Sequence, residues 1–245
     1  MNNQNKNILS SPRGSGFIEG CKSAIPIAIG YLPIGITFGL LARAGGISYS
    51  ITIMMSLIIF AGASQFVGIN LIALGAGTVE IVLTTLILNM RHLLMSASLS
   101  QRVASGTPKG ILALLSFGLT DETFSVASFR KEAILQPEFL AGLNLLAYIA
   151  WNLGTWLGFC LAAGLPEAVK SSMGIALYVM FIGLLAPSCR KSKAALTVAL
   201  SAMAINFLLQ HIPSTAGLST GSRIVIATVV GAIFGAVIFS KEDKA

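Results

Sequence analysis

Apolar and polar positions alternate along this chain on the scale of whole helices. Eight predominantly apolar stretches run at about Ala24–Ala42, Tyr49–Leu71, Thr78–Leu99, Gly110–Ser128, Phe139–Gly164, Ser171–Pro187, Ala194–His211 and Ile224–Ser240. Each is close to the length of about 20 residues that a helix needs to cross the hydrocarbon core of a bilayer. Short connectors rich in Gly, Pro, Ser and charge separate them. The pattern predicts an all-α, polytopic membrane protein of eight transmembrane helices, or seven if the weaker fourth or sixth stretch does not cross. Residues 1–16 read as a disordered cytoplasmic tail, 17–240 as one transmembrane domain and 241–245 as a second short tail. The N-terminus lacks the small-residue cleavage site of a secretory signal.

Composition agrees. Of 245 residues 55% are hydrophobic and 10% charged, against roughly 25% charged in soluble domains. Mean hydropathy is +0.83. The net charge of +7 does not imply nucleic-acid binding, because the cations lie in connectors and tails, where they orient membrane proteins. With eight spans and the N-terminus inside, Lys6, Arg13, Lys22, Arg130, Lys131, Arg190, Lys191, Lys193, Lys241 and Lys244 fall inside. Arg43, Arg102, Lys109, Lys170 and Arg223 fall outside. Both termini are therefore expected in the cytoplasm. The cysteines Cys21, Cys160 and Cys189 show no metal-binding spacing, and neither a disulfide, a metal nor a cofactor is expected.

Polar groups inside the apolar stretches carry the functional signal, since they are costly in lipid and face a protein interior or a wet cavity. Four sites break the pattern. Gly30-Tyr31-Leu32-Pro33-Ile34-Gly35, with Pro26 one turn earlier, predicts a broken or kinked helix, serving either a substrate cavity or close helix packing. Phe60-Ala61-Gly62-Ala63-Ser64-Gln65-Phe66 interrupts the second stretch. Gln65 there suits either a substrate's polar end or a bond to a neighbouring helix. Asn89-Met90-Arg91-His92 is the sharpest anomaly. Arginine near the centre of a span costs at least about 2.5–3.5 kcal/mol, so Arg91 needs either an acidic neighbour or a substrate carboxylate, unless the span ends near Asn89. His92 titrates near neutral pH. Thr120-Asp121-Glu122-Thr123 places two carboxylates inside the fourth stretch, as an interior proton carrier, a counter-charge for Arg91 or a solvated helix end. Asn144, Trp151, Asn152 and Asn206 are weaker candidates. Asn144 and Asn152 share a face with Tyr148, as either a polar stripe or interhelical glue. No catalytic motif, nucleotide-binding loop or channel filter appears, so an enzyme is not expected and a transporter is. A passive pore and a non-transporting scaffold are the alternatives.

In this order the four motifs resemble those of the AzlC family, the large subunits of bacterial branched-chain amino-acid exporters. The matching stretches are Gly30–Gly39, Phe60–Phe66, Leu88–Leu94 and Gly118–Glu122. The resemblance implies location in the cytoplasmic membrane and outward movement of Leu, Ile, Val and sometimes Met, driven by the proton gradient. It also implies a separate small hydrophobic AzlD-type subunit as partner. It carries over no binding residues, so the site is assigned from chemistry. A zwitterion with an apolar side chain needs a cation for its carboxylate, acceptors for its ammonium and an apolar pocket. Arg91 is expected to hold the carboxylate, Gln65 and Asp121 the ammonium, and Asn89 and Pro33 to help form the substrate site. His92, Asp121 and Glu122 are expected to carry protons, with Phe38, Phe60 and Phe66 as the apolar wall.

Overall fold

The structure is a computed structural model that describes residues 13–164, 182, 185–186, 189–190, 192–212, 215 and 217–239. The sixth expected span, Ser171–Pro187, and the tail 241–245 lie outside the described residues apart from isolated positions. Helices account for nearly all of the rest: α1 (Arg13–Ala44), α2 (Tyr49–Met54), α3 (Gly62–Ala73), α4 (Thr78–Ser100), α5 (Lys109–Phe117), α6 (Asp121–Ser128), α7 (Pro137–Leu161), α8 (Lys193–His211) and α9 (Thr220–Phe239). Among the described residues, α1, α4, α7, α8 and α9 are each long and apolar enough to cross a membrane. The all-α membrane architecture is as expected. Helix α1 begins at Arg13, inside the stretch expected to be a tail.

The chain forms two compact units. The first comprises residues 1–65 and 89–165, and α1 and α7 are its spine. They run parallel, because contacts climb together. Gly20 meets Phe139 and Leu143, Gly35 meets Trp151 and Gly154, and Gly39 meets Thr155 and Phe159. Gly154 and Gly158 answer from α7 against Leu32 and Ile36. Glycines four apart on both helices let the backbones touch, which replaces the hydrophobic drive that lipid cannot supply. Despite Pro26 and Pro33, α1 is not broken. Of the two purposes expected for this motif, the structure shows close glycine packing.

The second stretch is broken, as expected. Ser48 caps α2 by accepting from the Ile51 amide, and after Met54 the helix widens into a π-turn over Met55–Ile59. It stops at Phe60, whose φ of 43° and ψ of 45° are left-handed. A non-glycine residue there costs on the order of 1–3 kcal/mol. Burial of the Phe60 ring against Phe117 and Tyr148 offsets that cost.

The fourth stretch follows the alternative left open for it, in which it does not cross. Helices α5 and α6 are bent by 118° at Gly118–Thr120, and their outer ends return to one place. Ala104 N donates to Leu135 O at 3.1 Å and Leu135 N to Arg102 O at 2.6 Å. The Arg102 guanidinium donates to the carbonyls of Ser128, Arg130 and Glu132. The connector before α5 therefore lies against the connector after α6. Arg130 also pairs with Glu19 near the start of α1. The pair is a hairpin that turns back, not a single crossing helix. The expectation that Arg102 and Lys109 lie on the opposite side from Arg130 and Lys131 is thus corrected. Apolarity over about 20 residues measures length but not direction, and the turn at Gly118 reverses it. Arg43, by contrast, bonds to the Phe159 carbonyl at the other end of α7.

The second unit comprises residues 66–88 and 166–245. Here α8 and α9 pack antiparallel, with Gly231 against Ala202 and Gly235 against Val198. Glu80 Oε1 accepts from Gly221 N at 2.6 Å, where a carboxylate suits the positive end of α9. Among the described residues, the apolar window of α8 contains no buried residue.

Candidate functional site: two helix starts inside the membrane unit

The four motifs meet in the first unit. At the tip of the α5–α6 hairpin, Thr120 is extended and caps α6. Its Oγ1 accepts from Thr123 N at 3.3 Å, and Thr123 Oγ1 accepts from Thr120 N at 2.8 Å. This reciprocal cap sets Asp121 and Glu122 in the first turn, where the helix dipole favours carboxylates. Arg91, from the interior of α4, forms an ion pair with Asp121. Helix α4 runs past Asn89 to Ser100, so Arg91 lies within the helix and not at its end. Both side chains of the pair are more than two-fifths exposed, at 42% and 45%. The pair is thus open to whatever lies beside this unit.

Tyr31 reaches the same tip from α1. Its hydroxyl lies 2.7 Å from Thr120 Oγ1 and also donates to Glu122. The Tyr31 ring is buried, edge-on to Trp151 at 5.7 Å. Trp151 in turn lies over Gly62, where an added Cβ would come 2.8 Å from the indole.

Gly62 opens α3, the second helix that starts within the unit. Ser64 Oγ donates to Asn89 Oδ1 at 2.6 Å. Gln65 Nε2 donates to Ser56 Oγ at 3.0 Å, and Ser56 and Thr155 hydroxyls are 2.8 Å apart. All three of these side chains are buried. Gln65 Oε1 has no hydrogen-bond partner among the described residues. Asn89 and Arg91 are two residues apart, which is about 200° around a helix. That is why one serves the start of α3 and the other the start of α6.

The remaining expected residues are spread around this arrangement. His92 makes no hydrogen bond among the described residues, yet interacts electrostatically with Arg91, Asp121 and Glu122. Pro33 lies on the exposed side of α1, two residues and about 200° from Tyr31. Its carbonyl accepts from Thr37 Oγ1 at 2.9 Å. Phe38 stacks on Trp151 and Phe60 touches Tyr148, while Phe66 is buried in the other unit. Asn144 Nδ2 donates to Leu115 O and Asn152 Nδ2 to Tyr148 O. The first bond joins α7 to α5, and the second stays within α7. Sequence reasoning missed Tyr31, Ser56, Thr120 and Thr155 as site members. Tyr31 stood within a motif read only for its prolines. Isolated Ser and Thr in apolar spans carry no distinguishing signal. No cluster of metal-binding side chains occurs among the described residues.

This sequence is similar to those of known proteins. The family model described as AzlC protein matches residues 26–165. The inner membrane protein YgaZ of Escherichia coli is 34% identical over 210 residues, covering 83% of this chain and 86% of that protein. A membrane protein of Archaeoglobus fulgidus is 33% identical, covering 84% and 90%. The branched-chain amino acid transport protein AzlC of Bacillus subtilis is 32% identical, covering 55% and 53%. No solved structure matches the chain. The matched residues hold all four motifs and both helix starts, and this chain belongs to the AzlC family.

Proposed function

We propose that this chain is a secondary transporter that exports branched-chain amino acids, Leu, Ile and Val and also Met, across the bacterial cytoplasmic membrane in exchange for protons. The observation that carries the reading is the Arg91–Asp121 ion pair at the start of α6. A transporter needs a charged site within the bilayer that holds a zwitterion and lets it go. Broken helices, whose starts point at anionic groups, are a recurrent way to build one. Arg91 offers a planar fork to a substrate carboxylate. Asp121 offers oxygens to its ammonium, Gln65 Oε1 and Asn89 supply polar groups at the other helix start, and the aromatic groups around Trp151 offer the apolar surface. His92, Asp121 and Glu122 are the titratable groups. The name of the Bacillus subtilis relative supports the substrate class.

The face that gathers Lys22, Arg102, Lys109, Arg130 and Lys131 is cytoplasmic on the positive-inside rule, and the start of α1 lies with it. A small hydrophobic AzlD-type chain is the proposed partner. The unburied surface of α8 is compatible with such a subunit.

The test is efflux. Cells fed a leucine- or isoleucine-containing dipeptide should excrete the freed amino acid faster when this chain and its partner are present. Unchanged efflux would sink the substrate assignment. Arg91→Ala should abolish efflux at a normal amount in the membrane, and full activity in that variant would remove Arg91 from the site. Uphill efflux should stop when the proton gradient is collapsed; a passive pore has no uphill efflux to lose.

A further inference from the structure

The tip of the α5–α6 hairpin holds two carboxylates with different partners. Asp121 is committed to Arg91. A proton on Asp121 would break that pair and strand a guanidinium inside the membrane. Glu122 has an uncharged partner, the Tyr31 hydroxyl. The titratable groups around it are Tyr31 from α1, Asp121 beside it and His92 from α4, while Arg91 is bound to Asp121. A proton on Glu122 neutralises a carboxylate and leaves the Arg91–Asp121 pair whole.

Tyr31 has one hydroxyl proton and two acceptors in reach, Glu122 and Thr120 Oγ1. An ionised Glu122 takes that hydrogen bond. A protonated Glu122 no longer needs it and can itself donate to the Tyr31 oxygen. The Tyr31 hydroxyl then turns to Thr120, its other acceptor. Thr120 is the cap of α6 and already accepts from Thr123 N. The protonation state of Glu122 is therefore felt at the start of α6, one residue from Asp121 and its arginine.

We propose that Glu122 is the proton carrier of this transporter, and that Tyr31 is a positioning residue whose hydroxyl passes the state of Glu122 to the cap of α6. The proposal rests on the transport reading above. The step is simple: one O–H bond forms on Glu122 as a hydronium ion on one face becomes water. The same bond breaks as water on the other face takes the proton.

The experiment uses everted membrane vesicles from cells that express the chain and its small subunit, with radiolabelled leucine. Accumulation driven by an imposed pH gradient is compared with leucine–leucine exchange, which needs no net proton movement. Glu122→Gln keeps an acceptor for Tyr31 and should lose accumulation while keeping exchange. Glu122→Asp should recover part of the accumulation. Tyr31→Phe should keep exchange but move the pH dependence of accumulation upward, since the donor that favours the ionised carboxylate is gone. Accumulation undiminished in Glu122→Gln would overturn the proposal. So would loss of exchange together with accumulation in that variant at a normal membrane level, or an unmoved pH profile in Tyr31→Phe. If the unaltered protein shows neither accumulation nor exchange, the transport reading itself fails.

Discussion

Arg102 and Ser128 are tied by a 2.9 Å hydrogen bond from guanidinium to carbonyl, although a two-helix hairpin separates them in sequence. The bond joins the two ends of that hairpin, and it makes a prediction about sidedness. In a background without the three native cysteines, Ser105→Cys and Lys131→Cys should react with a membrane-impermeant thiol reagent from the same side. Ala44→Cys, at the far end of α1, should react from the other. Labelling of positions 105 and 131 from opposite sides would contradict the hairpin.

The same arginine predicts a stability effect. Its planar fork reaches the carbonyls of Ser128, Arg130 and Glu132 at once, which a lysine cannot match. Hydrogen bonds to a charged group contribute about 1.5–3 kcal/mol each. Arg102→Lys should lower the unfolding midpoint in detergent, followed by tryptophan fluorescence, while retaining the positive charge. An unchanged midpoint would show that charge alone suffices.

Gly158 lies against the Ile36 backbone, and a Cβ there would run into the Ile36 carbonyl. Backbone cannot move aside as a side-chain tip can. Gly158→Ala should force α1 and α7 apart, at a cost of about 1–3 kcal/mol or more. Gly164→Ala has open space around it and is the control. Yields of monodisperse protein after solubilisation should fall for the first substitution and hold for the second.

Outside the membrane, hydrogen bonds from Arg130 hold the Glu132 carboxyl below the usual carboxylate range. A depressed carboxylate contributes stability above its unfolded value and loses it as pH falls through the folded value. The tie between Glu132 and Arg130 should therefore persist at neutral pH and release only on acidification below the ordinary carboxylate range. The effect is small, because Glu132 is exposed and screened. Limited proteolysis of the 129–136 connector should speed up on acidification, and Glu132→Gln should cleave fast at both pH values. Equal rates for the unaltered protein at both would refute the coupling.

Sequence alone determined that this chain belongs in a bilayer, because an apolar run of span length has one physical home. It also singled out Arg91, Asp121 and Gln65, since charge and amide groups inside such runs are too costly to be incidental. The break at Phe60 was legible in its run of small residues. The prolines of α1 do not interrupt it, and the helix runs from Arg13 to Ala44. Only the tertiary structure decided direction and partnership. Hydropathy has no sign along the membrane normal, so a hairpin and a crossing helix read alike until Arg102 meets Ser128. Hydrogen bonds between helices are not periodic in sequence, so Tyr31 gained its role only when α1 brought it beside Thr120 and Glu122. The interruptions in the apolar pattern marked residues that meet in the first unit, and only the tertiary structure determined which of those groups face one another there.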